Sequence, residues 1–225
     1  MAIPPLKKPW GKVWRCSGHC RKYLVEGYTS RKNEPLIPLV MARTPSTMLA
    51  LGTTAPDFSL TDTVSQKTLN LNTLKGDQGT LIMFICNHCP FVKHVNSELV
   101  QMARDYENDG IGFIAISSND IENYPQDAPH LMKETALIEK YRFPYLFDET
   151  QEVARAYKAA CTPDFYLFDK NLKLVYRGQL DDSRPGNGIP VTGSDLRGAI
   201  QALLHHKAID PDQKPSIGCN IKWKN

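Results

Sequence analysis

The sequence lacks any apolar run that approaches the about 18 consecutive residues of a membrane-spanning helix. Its first residues contain no apolar core of the kind that marks a secretory signal. It also has no internal repeat and no low-complexity tract. These absences exclude a helical membrane protein and a repeat protein, and they predict a cytoplasmic location with no membrane partner.

Cysteine is also scarce. Six cysteines in 225 residues are too few for a disulfide-stapled scaffold. Without a secretory signal, they are expected to be reduced and to serve catalysis or metal binding. The composition, 41% hydrophobic and 23% charged, is that of a globular protein.

Positive charge is concentrated at the start of the chain. Residues 1–40 contain eight Lys or Arg against Glu26 and Glu34, a net charge of +6, so the remainder carries −3 of the total of +3. Because this segment lacks apolar periodicity, we predict a basic, disordered extension over residues 1–47. Nucleic-acid binding and a transit role are alternatives, but Met41 resembles a second start, which favours a segment that adds little to function.

The same segment contains a possible half of a zinc site. Cys16 and Cys20 form C-x3-C around His19. No second pair of ligands follows at zinc-finger spacing, so this pattern is weak support for a metal site.

Strand and helix patterns alternate through the rest of the chain. The strand patterns cover 57–62 and 67–71 as a hairpin, then 80–86, 111–118, 143–148, and a second hairpin of 164–169 and 172–178. The helix patterns cover 90–107, 127–142, 149–159 and 194–206. This order predicts an α/β domain over 48–208, with an N-terminal β-hairpin, a central mixed β-sheet and helices on both faces. Residues 209–225 are predicted to be a C-terminal tail.

The stretch LIMFICNHCPFVKH, residues 81–94, places two cysteines where a buried strand gives way to a helix. Cys86 ends the predicted strand and Cys89 begins the predicted helix. Sites in open α/β sheets lie beyond the carboxyl ends of the strands, and a helix N-terminus stabilises a thiolate. His88, when protonated, would lower the pKa of Cys86 further. The pattern predicts a reversible dithiol in which Cys86 attacks and Cys89 resolves.

Residues from about 50 to 206 resemble a thioredoxin-superfamily domain. The resemblance rests on CNHC after the first central strand and on CTPDFYLFD (161–169), in which Thr162-Pro163 matches the cis-proline that packs beside C-x-x-C in that superfamily. GTTAPDFSL (52–60) resembles the opening of the peroxiredoxin-like, AhpC/TSA or redoxin, branch, and CNHCPFVKH with PSIGCNIKWK (215–224) is similar to one group within it. The resemblance implies a thioredoxin-like fold and a thiol–disulfide oxidoreductase, with an antioxidant role as a further possibility. The catalytic residues that it implies are Cys86, Cys89, His88, Thr162 and Pro163.

The chain departs from the peroxiredoxin pattern P-x-x-x-T-x-x-C. Before Cys86, the positions of that Pro and Thr are occupied by Gly79 and Met83. Thiol–disulfide exchange is therefore the predicted reaction, and peroxide reduction stays open.

The chain also departs from the thioredoxin pattern. Ile85 stands where a Trp usually precedes C-x-x-C, and Thr80 stands where the strand carries a buried acid. Proton transfer to Cys89 then needs another base, and His94, one helical turn further on, is a candidate.

Two further cysteines are possible auxiliary residues. Cys161 lies two residues before Pro163 and should be near the site, although a buried thiol often packs only as a small hydrophobe. Cys219 could be an inert thiol of the tail, or it could join a relay that reaches Cys161 and Cys86.

The competing function is a metal-binding module for copper or zinc on the same fold. Copper chaperones of this fold use C-x3-C and a distant His, whereas this chain has C-x2-C between Cys86 and Cys89. A closed structural zinc site would need four ligands. We therefore expect no metal and no cofactor. The expected partners are a disulfide-containing protein or a small thiol or peroxide as substrate and a thiol reductant, with no nucleic acid.

Overall fold

The computed structural model describes residues 43–224. Its strands are β1 (Arg43–Pro45), β2 (Ser59–Asp62), β3 (Thr68–Asn70), β4 (Gly79–Phe84), β5 (Ile111–Ser117), β6 (Tyr145–Phe147), β7 (Cys161–Thr162), β8 (Asp164–Asp169), β9 (Leu174–Gly178) and β10 (Ile217–Asn220). Its helices are α1 (Leu71–Leu74), α2 (Pro90–Asp105), α3 (Pro129–Ile138), α4 (Glu152–Ala156) and α5 (Ser194–Leu204). The C-x3-C pair in the basic segment lies outside the described residues.

A seven-stranded mixed sheet has the order β3-β2-β6-β5-β4-β8-β9. Strand β4 pairs in parallel with β5 and antiparallel with β8, and β5 pairs in parallel with β6. All six residues of β4 are buried, because a central strand covered on both faces has no polar side to present to solvent. The predicted mixed sheet and the β2–β3 hairpin are confirmed.

Helices cover both faces of this sheet, as predicted. The alternation of side chains along β4 sends Leu81 and Met83 to one face, where they pack with residues of α2, α3 and α5. The same alternation sends Ile82 and Phe84 to the other face, where they pack with residues of α1 and α4. The fold is therefore two apolar layers around one sheet, and β4 ends between them at the cysteine motif.

A second, three-stranded sheet has the order β1-β10-β7. The sequence patterns did not predict it. Its strands contain two to four residues, too few to show a period, and their partners lie far apart in the chain, as in Arg43 opposite Cys219 and Cys219 opposite Thr162. The domain therefore extends beyond the predicted limits of 48 and 208, and at least residues 43–47 and 209–224 belong to it.

Hydrogen bonds hold β10 and the residues around it in place. Ser216 Oγ donates to the carbonyl oxygen of Pro163 at 2.6 Å. The backbone N–H of Lys222 donates to Asn119 Oδ1 at 2.8 Å, and its carbonyl accepts from Gln151 Nε2 at 2.8 Å. Gly218 approaches the backbone of β7 so closely that a Cβ atom there would lie 2.0 Å from the Thr162 carbonyl oxygen. The C-terminal segment is thus fixed against the loop that carries Pro163.

Helix boundaries differ from the predicted ones mainly at their ends. The helix predicted over 127–142 is α3, and a 3-10 turn at Pro125–Asp127 precedes it. The helix predicted over 149–159 shortens to α4, whose N-cap Gln151 has a left-handed backbone. No helix in the described part of the chain is long and apolar enough to cross a bilayer.

We expect Ile221→Ala to destabilise the protein by about 2–5 kcal/mol, because the side chain is 1% exposed and its removal leaves a cavity. The matched control is Ile138→Ala, at a side chain that is 74% exposed, which should change stability by less than about 0.5 kcal/mol. The free energy of unfolding from urea titration checks both. Equal effects of the two substitutions would contradict the placement of the C-terminal segment in the core.

Candidate active site

The cysteine motif lies at the carboxyl end of β4. Cys86 follows the strand by two residues, and Cys89 is the N-cap residue of α2, with Pro90 at the first helical position. Proline suits that position because its missing N–H would have no partner within the helix. Cys89 therefore lies at the positive end of the helix dipole, as the sequence pattern predicts.

Thr162 contacts both cysteines of the motif. Its Oγ1 lies 3.4 Å from Cys86 Sγ, and its carbonyl oxygen lies 3.1 Å from Cys89 Sγ. The Thr162-Pro163 peptide bond is cis. The structure thus brings Thr162 and Pro163 to the dithiol, where the resemblance placed them.

Cys219 lies next to Cys89. The two Sγ atoms are 2.9 Å apart, and both residues are buried. The predicted relay through Cys219 reaches Cys161 and Cys86, but pairing of β10 with Thr162 directs Cys219 to Cys89 instead. Cys161 Sγ contacts the carbonyl oxygen of Pro163 at 3.6 Å, away from this cluster. Cys86, Cys89 and Cys219 together form the clustered thiols.

His88 binds a carboxylate that the sequence patterns did not identify. Its Nδ1 lies 2.6 Å from Asp127 Oδ2 and 4.0 Å from Cys86 Sγ, and its ring stacks on Tyr124. Because the same nitrogen faces both groups, the imidazole is held by the carboxylate rather than by the thiol. The Nδ1 atom is therefore engaged by Asp127, and His88 does not form a triad with Cys86, in which two different ring nitrogens would be used.

Asp127 organises the loop between the two cysteines of the motif. It is fully buried and accepts hydrogen bonds from the backbone N–H groups of Asn87 and His88, at 2.8 and 3.3 Å, and from Asn119 Nδ2 at 2.8 Å. A buried carboxylate is stable only with such donors. One signal could have found it: polar residues follow β5, whose carboxyl end lies beside that of β4, and Asp127 comes shortly after them.

His94 does not contact the clustered thiols. Its Nε2 lies 2.7 Å from Ser183 Oγ. Thr80, at the position of the thioredoxin acid, is buried and accepts a hydrogen bond from the backbone N–H of Gly76 at 3.2 Å. The proposed role of His94 as a base for Cys89 has no support in this geometry.

The pKa values of the clustered thiols depend on their mutual contacts. The hydrogen bond with Cys89 raises the pKa of Cys86 well above its usual range, and burial and the charge of Asp127 raise it further. The hydrogen bond with Cys89 also raises the pKa of Cys219, with burial as the next cause. Hydrogen-bond contacts with Cys219 and Cys86 lower the pKa of Cys89 and outweigh its burial. A single negative charge in the cluster therefore belongs on Cys89.

One contact opposes a thiolate at Cys89. The Thr162 carbonyl oxygen can only accept a hydrogen bond, so it favours the thiol form of Cys89. The contacts with Cys219 and Cys86 and the N-terminus of α2 oppose this one acceptor, and the pKa of Cys89 is lowered. The contact with Cys89, burial and the charge of Asp127 raise the pKa of Cys86, a direction opposite to the predicted one.

Access to the cluster runs through a cleft of about 490 Å³. Cys86 lines it, with Asn87, Lys93 and Asn96 among its polar residues and Ile138 and Tyr141 among its apolar ones. Cys89 and Cys219 do not line it. A substrate in the cleft would therefore meet Cys86 first.

We expect Asp127→Asn to lower the pKa of Cys86, because the substitution removes a negative charge that opposes the thiolate. Alkylation of Cys86 by iodoacetamide should then begin at lower pH than in the unmodified protein, as followed by mass spectrometry of the Cys86 peptide. Asp109→Asn, an equal charge change at an exposed residue beyond the far end of α2, should leave the profile in place. A shift of the same size in both variants would rule out a local effect of Asp127.

The chain is similar to several proteins of known structure. An uncharacterized conserved protein from Geobacillus kaustophilus shares 59% sequence identity, with a TM-score of 0.81 over 83% of this chain and 98% of that chain. A hypothetical protein from Sinorhizobium meliloti 1021 shares 46% identity, with a TM-score of 0.79 over 80% of this chain and 98% of that chain. The thioredoxin domain of a thiol-disulfide oxidoreductase from Bacteroides vulgatus shares 19% identity, with a TM-score of 0.54 over 69% of this chain and 99% of that chain, a likeness of fold alone.

No curated protein matches the chain. The sequence model of the AhpC/TSA family matches residues 51–177, more than half of the chain. The matched range begins before the β2–β3 hairpin, contains the cysteine motif and Thr162-Pro163, and ends in β9. Together with the thioredoxin-like fold, this match identifies the chain as a member of the AhpC/TSA family.

Proposed function

We propose that the protein is a thiol–disulfide oxidoreductase that uses a reversible Cys86–Cys89 dithiol. The observation that carries the proposal is the placement of the two sulfurs: Cys86 lines an open cleft, and Cys89 lies beside it at the N-terminus of α2. Thr162 contacts both of them and holds their relative position.

The reaction begins when the sulfur of Cys86 attacks a substrate disulfide in the cleft. A bond forms between Cys86 and one substrate sulfur, and the other substrate sulfur leaves as a thiolate. The proton of Cys86 passes to this departing substrate thiolate, while Cys89, whose pKa is lowered, stays in its thiolate form. Thr162 lowers the pKa of Cys86 through its own hydrogen bond, which favours the attacking thiolate.

Cys89 then resolves the mixed disulfide. The Cys89 thiolate attacks the sulfur of Cys86, the bond between Cys86 and the substrate breaks, and the second substrate sulfur leaves and takes a proton from water. The substrate disulfide is reduced to two thiols, and Cys86 and Cys89 are oxidised to a disulfide. A thiol reductant completes the cycle by reversing this exchange.

Disulfides are a better match to the site than peroxides. At the positions where a peroxiredoxin carries the Pro and Thr of its peroxide pocket, this chain has Gly79 and Met83, both buried in β4. Neither offers a side-chain donor that could polarise a peroxide bond. An antioxidant role would then act through repair of protein or small-molecule disulfides.

A second candidate function, metal binding, is favoured by one cluster. Cys86 Sγ, His88 Nδ1 and a carboxylate oxygen of Asp127 lie within 4.8 Å of one another. These donors suit zinc. However, Asp127 already accepts hydrogen bonds from its neighbours, and a metal would have to displace the one from His88.

We expect Cys86→Ser to abolish the reduction of insulin disulfides by a thiol donor, because the sulfur that meets the substrate is gone. Cys89→Ser should instead accumulate a mixed disulfide at Cys86, seen by mass spectrometry, since the resolving sulfur is missing. Cys161→Ala is the matched control, as it removes a buried thiol outside the cluster and should retain activity. Full activity in Cys86→Ser would refute the proposal.

We expect a thiol titration of the purified protein to count the same number of reactive thiols with and without a chelator. A bound zinc ion would protect Cys86, so a chelator-dependent increase in the thiol count, abolished by Asp127→Asn, would favour the metal-binding function.

Hydrogen peroxide consumption with the same thiol donor, measured in parallel, distinguishes a peroxidase from a disulfide reductase.

A further inference from the structure

Cys219 forms the third member of the clustered thiols, and the proposed reaction does not use it. Its Sγ is 2.9 Å from Cys89 Sγ. A covalent S–S bond is about 2.05 Å long, so closing a disulfide needs the two sulfurs to approach by less than about 1 Å. Cys89 therefore has two possible disulfide partners, Cys86 and Cys219.

The fold holds Cys219 at this position rather than delivering it on a flexible tail. Cys219 pairs with Thr162 on one side and with Arg43 on the other, in the central strand of the three-stranded sheet. Gly218 permits the close approach of β10 to Thr162, because a larger residue would collide with the Thr162 carbonyl. The same Thr162 contacts Cys86 and Cys89, so one residue fixes all three sulfurs.

Cys161 provides an internal comparison. It lies on β7 beside Thr162, and side chains of neighbouring strand residues point to opposite sides. Its sulfur contacts the Pro163 carbonyl oxygen and is buried beside Asp164, and both burial and that carboxylate raise the pKa of the Cys161 thiol. Burial of a thiol near the site is therefore not enough to join the cluster, and the contact between Cys89 and Cys219 is specific to β10.

We propose that Cys219 is a third redox-active residue, which moves the disulfide from Cys86–Cys89 to Cys89–Cys219. The sulfur of Cys219 attacks the sulfur of Cys89, an S–S bond forms between them, and the Cys86–Cys89 bond breaks. Cys86 leaves with the electron pair and receives the proton of Cys219. The step exchanges one disulfide for another with no net oxidation, and it rests on the proposed function, which supplies the first disulfide.

The exchange returns Cys86 to its thiol form while the protein remains oxidised. Cys86 can then attack a second disulfide in the cleft, but Cys89 is bonded to Cys219 and cannot resolve the product at once. The mixed disulfide lives longer, which allows a second thiol of the same substrate to displace Cys86. This state suits the rearrangement of disulfides in a protein substrate, whereas the Cys86–Cys89 pair suits their reduction.

The first experiment oxidises the Cys86→Ser variant with oxidised glutathione and maps its disulfides by mass spectrometry without reduction. We expect a Cys89–Cys219 disulfide, with Cys161 free. The double variant Cys86→Ser with Cys219→Ala should form no internal disulfide that involves Cys89. If Cys89 and Cys219 both stay free under conditions that fully oxidise the unmodified protein, the proposal is overturned.

The second experiment uses the protein with all its cysteines. After oxidation, N-ethylmaleimide labels the free thiols, and we expect partial labelling of Cys86 in the unmodified protein and none in Cys219→Ala. Thermal melting shows whether Cys219→Ala remains folded. Absence of Cys86 labelling in both proteins would contradict the exchange.

The two proposals fail in different ways. In one outcome, the unmodified protein reduces insulin and this activity is lost in Cys86→Ser, while no Cys89–Cys219 bond forms. That outcome refutes the exchange and leaves the proposed function standing. If the Cys89–Cys219 bond forms but the protein reduces no disulfide substrate, the proposed function is refuted. The exchange then lacks the reaction that would supply its first disulfide, Cys86–Cys89.

Discussion

The pairing of β10 with β7 at Thr162 is the constraint on which the site depends. Thr162 has its side-chain oxygen at Cys86, its carbonyl oxygen at Cys89 and its strand partner at Cys219. A short antiparallel pair contributes little stability by itself, so the position of Thr162 is secured by its surroundings. Hydrogen bonds supply that support. Ser216 donates to the carbonyl oxygen of Pro163, and Asn119 and Gln151 bind the backbone of Lys222. The last residues of the chain are therefore part of the framework of the site.

A second constraint acts on the opposite side of the cysteine motif. Asp127 receives hydrogen bonds from two backbone N–H groups within C-N-H-C and from the side chains of His88 and Asn119. Hydrogen bonds to a charged group contribute about 1.5–3 kcal/mol each, and an unpaired buried carboxylate would cost more than any one of them. The loop and the carboxylate thus stabilise each other. The same charge disfavours a thiolate at Cys86.

The parts of the fold that the sequence predicts are those with local signals. The apolar run of β4, the helical spacing of α2 and the β8–β9 hairpin each occupy one continuous segment, and Cys86, Cys89 and Thr162-Pro163 belong to such segments. The parts that it does not predict depend on pairs distant in the chain. β1 and β10 are too short to show alternation, and Asp127 meets His88 across 39 positions. The pKa of Cys86 belongs to this second group. It depends on the contact with Cys89 and on the charge of Asp127, and not on His88, its near neighbour in the sequence.

The balance between the two disulfides of Cys89 follows from this arrangement. Each disulfide leaves one buried cysteine as a free thiol, either Cys219 or Cys86. In the reduced cluster, contact with Cys89 and burial raise the pKa of both of these thiols. Loop-closure entropy, which separates a short disulfide loop from a long one in an unfolded chain, no longer matters when the fold has already placed the sulfurs together. The two bonds then differ only in local strain and in contacts, and a difference of about 1.4 kcal/mol changes their ratio tenfold. A substrate in the cleft contacts Cys86 and not Cys219, so it acts on only one side of this balance. Binding in the cleft can therefore select which disulfide the protein holds, because a ligand shifts an equilibrium by its difference in affinity for the two states.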